Sequence, residues 1–110
     1  MAGTTWSAEI EHELSLARDA RRRGNEGRAR VCARRAAGFA ARIYLQRCAV
    51  AVRGSSVLDL LDRLATAPGI DDEIRRRTLL FAVRVDTDFK LPEGVDLIHE
   101  AELLCTQLLR

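Results

Sequence analysis

The side chains whose type and spacing could do chemistry in this sequence are arginines. Arg28, Arg35 and Arg42 recur at intervals of seven residues. This spacing keeps them on one face of a helix, with a drift of about 20° per step. Arg22 and Arg23 come just before this row, across a predicted turn. Because a guanidinium donates two hydrogen bonds at once to a phosphate, these five arginines are the predicted binding site for the phosphate groups of a nucleotide or of RNA.

A second interpretation of the same arginines stays open. They also fit a solvated helix face that acidic residues of the later helices partly neutralise, and charge runs are commonly of this kind. The chain has 17 arginines and one lysine, which indicates a bias in the base composition of the genome more than selection for phosphate binding. No aromatic-rich strand or loop accompanies the row, so stacking on nucleic-acid bases is poorly provided for.

Motifs for catalysis or metal binding are sparse. The two histidines, His12 and His99, lie beside glutamates on predicted helices, and neither HxxxH nor CxxC spacing occurs. Residues 24–27 form a turn between helices and do not match the GxxxxGK(S/T) phosphate loop. We therefore predict no metal, no cofactor and no catalytic residue.

The cysteines and the N-terminus indicate a cellular compartment. Cys32, Cys48 and Cys105 are odd in number and far apart, which favours free thiols in a reducing environment. The first residues lack a basic region followed by an apolar stretch, and no run approaches the ~20 apolar residues of a membrane span. We expect a cytoplasmic protein with no membrane partner.

The charge of the chain is divided unevenly between its halves. Residues 1–55 hold eleven arginines against five acids, and residues 56–110 hold seven basic groups against eleven acids. Such polarity suggests a basic flank that meets an anion or an acidic partner surface. Attraction between the two halves explains the same asymmetry equally well.

Helical periodicity runs along the chain and predicts one all-α domain over residues 1–110. Five amphipathic helices are expected at 6–23, 26–52, 57–67, 72–86 and 97–110, and the short turn after the first makes a long N-terminal hairpin. The predicted core consists of Trp6, Ile10, Leu14, Ala17 and Ala20, then Ala29, Cys32, Ala36, Phe39, Ala40, Ile43 and Val50, then Leu58, Leu61 and Leu64 or Ala65, then Ile74, Thr78, Phe81 and Val85, and finally Leu97, Ala101, Leu104 and Leu108.

The hairpin resembles the opening of HEPN domains. The similarity is carried by the runs LARDA at 16–20, GNEGRA at 24–29 and CARRAAGFA at 32–40, and the order of helices matches over residues 6–109. The resemblance implies an up-and-down five-helix bundle that tends to dimerise. It also implies a place in RNA cleavage, in nucleotide binding, or in pairing with a small nucleotidyltransferase in toxin–antitoxin-like systems.

The RNA-cleaving members of that family carry an arginine followed, after four to six residues, by a histidine near the end of the fourth helix. Arg84 stands at the expected place, but no histidine follows in residues 85–91, so the general acid/base is missing. We therefore expect a non-catalytic, HEPN-like binding or partner module, with a second copy, a nucleotidyltransferase, RNA or a nucleotide as its partner. The alternatives are a divergent ribonuclease that uses Arg84 with a surrogate such as His99, and a phosphate-binding module that uses the arginine row.

Overall fold

The computed structural model describes residues 6–82 and 94–109. Over these residues the chain is all-α: α1 spans Ala8–Arg22, α2 spans Glu26–Arg47, α3 spans Val57–Ala65, α4 spans Asp72–Ala82 and α5 spans Leu97–Leu108. They form an up-and-down bundle in which each helix packs against the next along the chain. The predicted all-α, five-helix class is confirmed. Val85 of the predicted core lies outside the described residues, as does Arg84.

The first two helices form the predicted hairpin. Gly24 takes a φ of 79°, a left-handed conformation that glycine adopts without steric cost. The amide of Asn25 then donates to the carbonyl of Ala20 at 2.8 Å, which closes the end of α1. The side chain of Asn25 in turn accepts from the amide of Arg28 at 3.1 Å and caps α2. Because so few residues separate the helices, α1 and α2 pack side by side.

Helix α2 is the centre of the bundle and contacts each of the other four helices. Its buried face is made largely of alanine, whose small side chain lets neighbouring helices approach closely. The facing stripe of α1 is buried as predicted, and Trp6, Phe39 and Ile43 pack at the edge of the core, half-buried. The fully buried alanines of α2 are Ala29, Ala33, Ala36, Ala37, Ala40 and Ala41.

The predicted end of α2 at Val52 is wrong, because the helix ends at Arg47. Ala49 takes a φ of 61°, and the amide of Val50 donates back to the carbonyl of Leu45 at 2.9 Å. This left-handed cap terminates a helix and satisfies its last carbonyls. Val50, predicted to be buried, is therefore 38% exposed, while Val52 in the following loop joins the core.

The buried face of α3 also differs from the prediction. Leu58 is 36% exposed, whereas Leu60 and Leu61 are both buried. The reason is that α3 packs against α2 and α4 at once, so its buried arc is wide and is centred between these two leucines. A reciprocal capping box begins the helix: the hydroxyl of Ser56 accepts from the amide of Asp59, whose carboxylate accepts from the amide of Ser56.

The last two helices complete the core. Phe81 and Thr78 of α4 are fully buried, as are the predicted Ala101 and Leu104 of α5. Asp96 caps α5 by accepting from the amides of two first-turn residues. In the part of the chain that the structure describes, no helix combines the length and the apolar character needed to cross a bilayer.

Candidate functional site

The first half of α2 presents part of the predicted arginine row to solvent. Arg28 and Arg35 are exposed, and Val31, which is 47% exposed, lies between them on the same face. We call Arg28, Val31 and Arg35 the arginine face. Two positive side chains flanking an uncovered valine make a surface that can meet an anionic partner.

Arg28 lies at the edge of a groove beside the hairpin turn. Leu16, Ala20, Asn25 and Arg23 form the rest of its wall, together with the carboxylate of Asp19, and the groove has a volume of about 390 Å³. Within residues 6–82 and 94–109, Arg28 makes no salt bridge, and the carboxylate in the same groove, that of Asp19, pairs with Arg22 and Arg23. Its guanidinium group is therefore available to a ligand.

Arg22 and Arg23 are engaged by a neighbour on their own helix. Each lies 3.2 Å from a carboxylate oxygen of Asp19. Their side chains are 72% and 77% exposed, and surface ion pairs of this kind contribute little to stability. A phosphate approaching these arginines has to compete with Asp19, and Arg22 does not line the groove.

Arg35 lies near a buried carboxylate whose burial was not predicted from the sequence. Glu13 of α1 is 7% exposed, and its Oε2 lies 3.8 Å from Nε of Arg35. The other oxygen, Oε1, has no hydrogen-bond partner in the described part of the chain. Burial raises the pKa of the neighbouring Cys32 thiol, and the charge of Glu13 adds to this effect. The sequence did contain a signal for the burial of Glu13, because this residue falls within the apolar stripe of α1.

Arg42 is separated from the arginine face. It lies fourteen residues beyond Arg28, about 21 Å along the helix axis. Its guanidinium carbon sits 5.6 Å from the centroid of the Phe39 ring, within the range of a cation–π contact. It lines a different cavity, shared with Arg53, at the far end of α2. The predicted five-arginine site is therefore divided between the two ends of the helix.

Ion pairs made by the arginines of α1 neutralise part of the uneven charge between the two halves of the chain. Arg18 pairs with Glu102 of α5 at 2.6 Å, and Arg21 pairs at 2.8 Å with both Glu26 and Asp96. The hydrogen bonds from Arg21 lower the pKa of the Glu26 carboxyl. Burial opposes ionisation of Asp96, but the hydrogen bonds from Arg21 and the first-turn amides outweigh it and lower the pKa. The pairs with Glu102 and Asp96 attach the basic first half to the acidic second half.

Arg77 belongs to the core, which the sequence did not reveal. It is 6% exposed and donates to Glu100 at 2.8 Å and to Gln107 at 2.6 Å, both on α5. An ion pair along its own helix joins it to Glu73 at 3.4 Å. These bonds join α4 to α5, so Arg77 is a structural residue and not a binding residue.

The remaining histidines and cysteines do not lie together in one site. His12 and His99 are both exposed, on different helices. Cys32 and Cys105 are buried, whereas Cys48 is exposed. Among the described residues there is no group of three or more side chains able to hold a metal ion.

No family profile, no curated protein and no solved structure matches the chain. A function for this protein therefore has to be inferred from its own side chains.

Proposed function

We propose that this protein is a non-catalytic, HEPN-like binding module of the cytoplasm, and that its arginine face contacts the phosphates of RNA. The observation that supports this function is the exposure of Arg28 and Arg35 on one face of α2. Arg28 makes no salt bridge with a described residue, and Arg35 remains exposed although Glu13 lies 3.8 Å from its Nε. Arg23, at the groove beside Arg28, supplies a third cation when a phosphate displaces the exposed carboxylate of Asp19 from it.

The arrangement suits phosphate better than base recognition. A guanidinium forms short, charge-assisted hydrogen bonds to phosphate oxygens, and such contacts position a nucleic acid without reading its sequence. No aromatic ring lies on the arginine face; the described ring nearest to the row, Phe39, is half-buried under Arg42. Binding should therefore be insensitive to base sequence and sensitive to salt.

Titration of a fluorescently labelled single-stranded RNA at several salt concentrations tests the proposal. Each phosphate contact releases condensed counterions from the RNA. With three contacts, a plot of log K against log[salt] should therefore have a slope of about −2. Arg28→Gln should weaken binding and reduce the slope by about 0.7. Arg76→Gln, which removes an equal charge from an exposed position on α4, is the matched control and should leave both unchanged.

Two results would contradict this function. If the slope of log K against log[salt] is the same for the protein and for Arg28→Gln, the arginine face is only a solvated surface. Cleavage of the RNA that is lost in Arg84→Ala or His99→Ala would show that the protein is instead a divergent ribonuclease.

The resemblance to HEPN domains adds two proposals about protein partners. A second copy of the chain is the first, and sedimentation at micromolar concentration should then give the mass of a dimer. A small nucleotidyltransferase in a toxin–antitoxin-like pair is the second, and the two proteins should co-purify after co-expression. A monomer in sedimentation would remove the first proposal without affecting the RNA-binding one.

A further inference from the structure

A second basic site lies at the opposite end of α2 from the hairpin groove. The cavity there has a volume of about 550 Å³. This is within the range of roughly 300–1,000 Å³ typical of small-molecule sites. Arg42 and Gln46 project into it from the last turns of the helix, and Arg53 comes from the loop that follows. Val50 and Val52 supply apolar surface to the same cavity.

The loop that forms one wall is fixed by hydrogen bonds. The left-handed residue Ala49 turns the chain away from α2, and the amide of Val50 is tied to that helix. The amide of Ser55 donates to the carbonyl of Val52 at 3.0 Å and closes the turn that carries Arg53. Arg63 of α3 donates to the carbonyl of Ala51, so the wall is also attached to the next helix. A cavity held in this way exists before a ligand arrives, which reduces the entropy lost on binding.

The charge of this cavity distinguishes it from the hairpin groove. Its described lining contains two guanidinium groups and one amide but no carboxylate. The groove, by contrast, contains Asp19, which already pairs with Arg23. Stacking on Phe39 holds the Arg42 guanidinium in place. An anion that enters the cavity therefore meets two cations without a competing acid.

We propose that this cavity binds a small organic phosphate monoester. Arg42 and Arg53 would hold the phosphate, because two guanidinium groups complement its charge and its several acceptor oxygens. Gln46 can donate to an ester or phosphate oxygen. The exposed part of Val50 and the side chain of Val52 would contact the apolar body of the ligand. The site does not depend on the arginine face, since the seven residues from Arg35 to Arg42 separate the two by about two turns of helix.

Chemical-shift titration of the isotope-labelled protein with phenyl phosphate, inorganic phosphate and phenol tests the site. Phenyl phosphate should perturb residues 42–54 and bind more tightly than either of its parts, since only it uses both the cations and the apolar wall. Arg53→Gln should weaken binding about tenfold, as expected for the loss of a charge-assisted contact. Arg53 is exposed and sits on a turn, so this variant keeps the fold.

The controls separate this site from other cationic surfaces. Arg47→Gln removes a charge from the same end of α2 without altering the cavity lining, and it should bind phenyl phosphate as the unaltered protein does. Arg28→Gln should likewise have no effect here, although it weakens RNA binding. Equal weakening in Arg47→Gln and Arg53→Gln would overturn the proposal, as would equal binding of inorganic phosphate and phenyl phosphate, or shifts centred outside residues 42–54.

Discussion

Helices α2 and α3 approach each other closely at Gly38, and substitution there tests their packing. An ideal Cβ on Gly38 would lie 2.9 Å from one γ-carbon of Val57, 3.2 Å from the other and 3.3 Å from its Cβ. Carbon atoms in contact are normally about 3.5–4.0 Å apart. Both γ-carbons and the β-carbon face the glycine, so rotation of the branched valine cannot clear the space. The helices have to move apart to admit a methyl group.

The expected effect of Gly38→Ala follows from two opposed terms. Alanine gains about 1 kcal/mol over glycine in a helix interior, because it loses less conformational freedom on folding. Overpacking a core contact costs about 1–3 kcal/mol. Since the contact is with a rigid branched side chain, we expect the clash to exceed the gain and the free energy of unfolding to fall by about 1 kcal/mol.

Urea unfolding followed by helical circular dichroism measures this change, with Gly27→Ala as the matched control. At Gly27 the nearest atom to an added Cβ is 3.9 Å away, so the same substitution in the same helix should stabilise the protein by about 0.5–1 kcal/mol. In a Val57→Ala background both γ-carbons are gone, and Gly38→Ala should then be near neutral, giving a coupling of about 1 kcal/mol. If Gly38→Ala stabilises the protein that keeps Val57, α2 and α3 are not as close at this position as the structure shows.

Three further predictions concern the cap of α2, the buried arginine and a buried thiol. Ala49→Gly should raise the free energy of unfolding by about 1 kcal/mol, because glycine removes the steric cost of a left-handed φ, and an unchanged urea midpoint would count against this. Arg77→Leu should cost about 3 kcal/mol by leaving the Glu100 carboxylate unpaired, and the double variant with Glu100→Leu should recover most of the loss. Burial raises the pKa of Cys105 to about 12, against about 8.5 for an unfolded cysteine, so its contribution to stability is intact below pH ~8.5 and declines from there toward pH 12. The stability difference between the protein and Cys105→Ala should therefore be constant below that lower value and shrink above it, and a difference that changes at acidic pH would contradict the assignment.

Local signals in the sequence located most helix ends correctly. Gly24, Asp96 and the Ser56–Asp59 pair act through backbone amides within a few residues, so their effect depends little on the rest of the fold. The end of α2 depends on the rest of the fold. Alanine at position 49 gives no stop signal, and the left-handed turn there accompanies burial of Val52 and the bond from Arg63 to the loop. Neither contact can be read from a one-dimensional pattern.

The candidate site, too, could be predicted from the sequence only in part. The seven-residue spacing correctly places Arg28 and Arg35 on a common exposed face, because that is a property of the helix itself. What each guanidinium meets is decided by neighbouring helices, which spacing does not describe. Glu13 and Arg77 are charged residues within apolar stripes, and their burial follows from partners on the facing helices. Arg42 faces a loop whose course depends on where α2 ends.

The arginine bias of the sequence explains how many guanidinium groups there are but not which of them are paired. Two acids of α5 and its N-cap residue, Asp96, neutralise Arg18, Arg21 and Arg77, and these pairs attach α5 to α1 and α4. If base composition alone had placed the arginines on a neutralised surface, acids of the later helices should also face α2. Within the described residues Arg28 and Arg53 have no such partner, and they lie at opposite ends of that helix. Arg47 and Arg76 are exposed and lack such a partner as well, so what supports the two proposed anion sites is that Arg28 and Arg53 each line an opening of the surface.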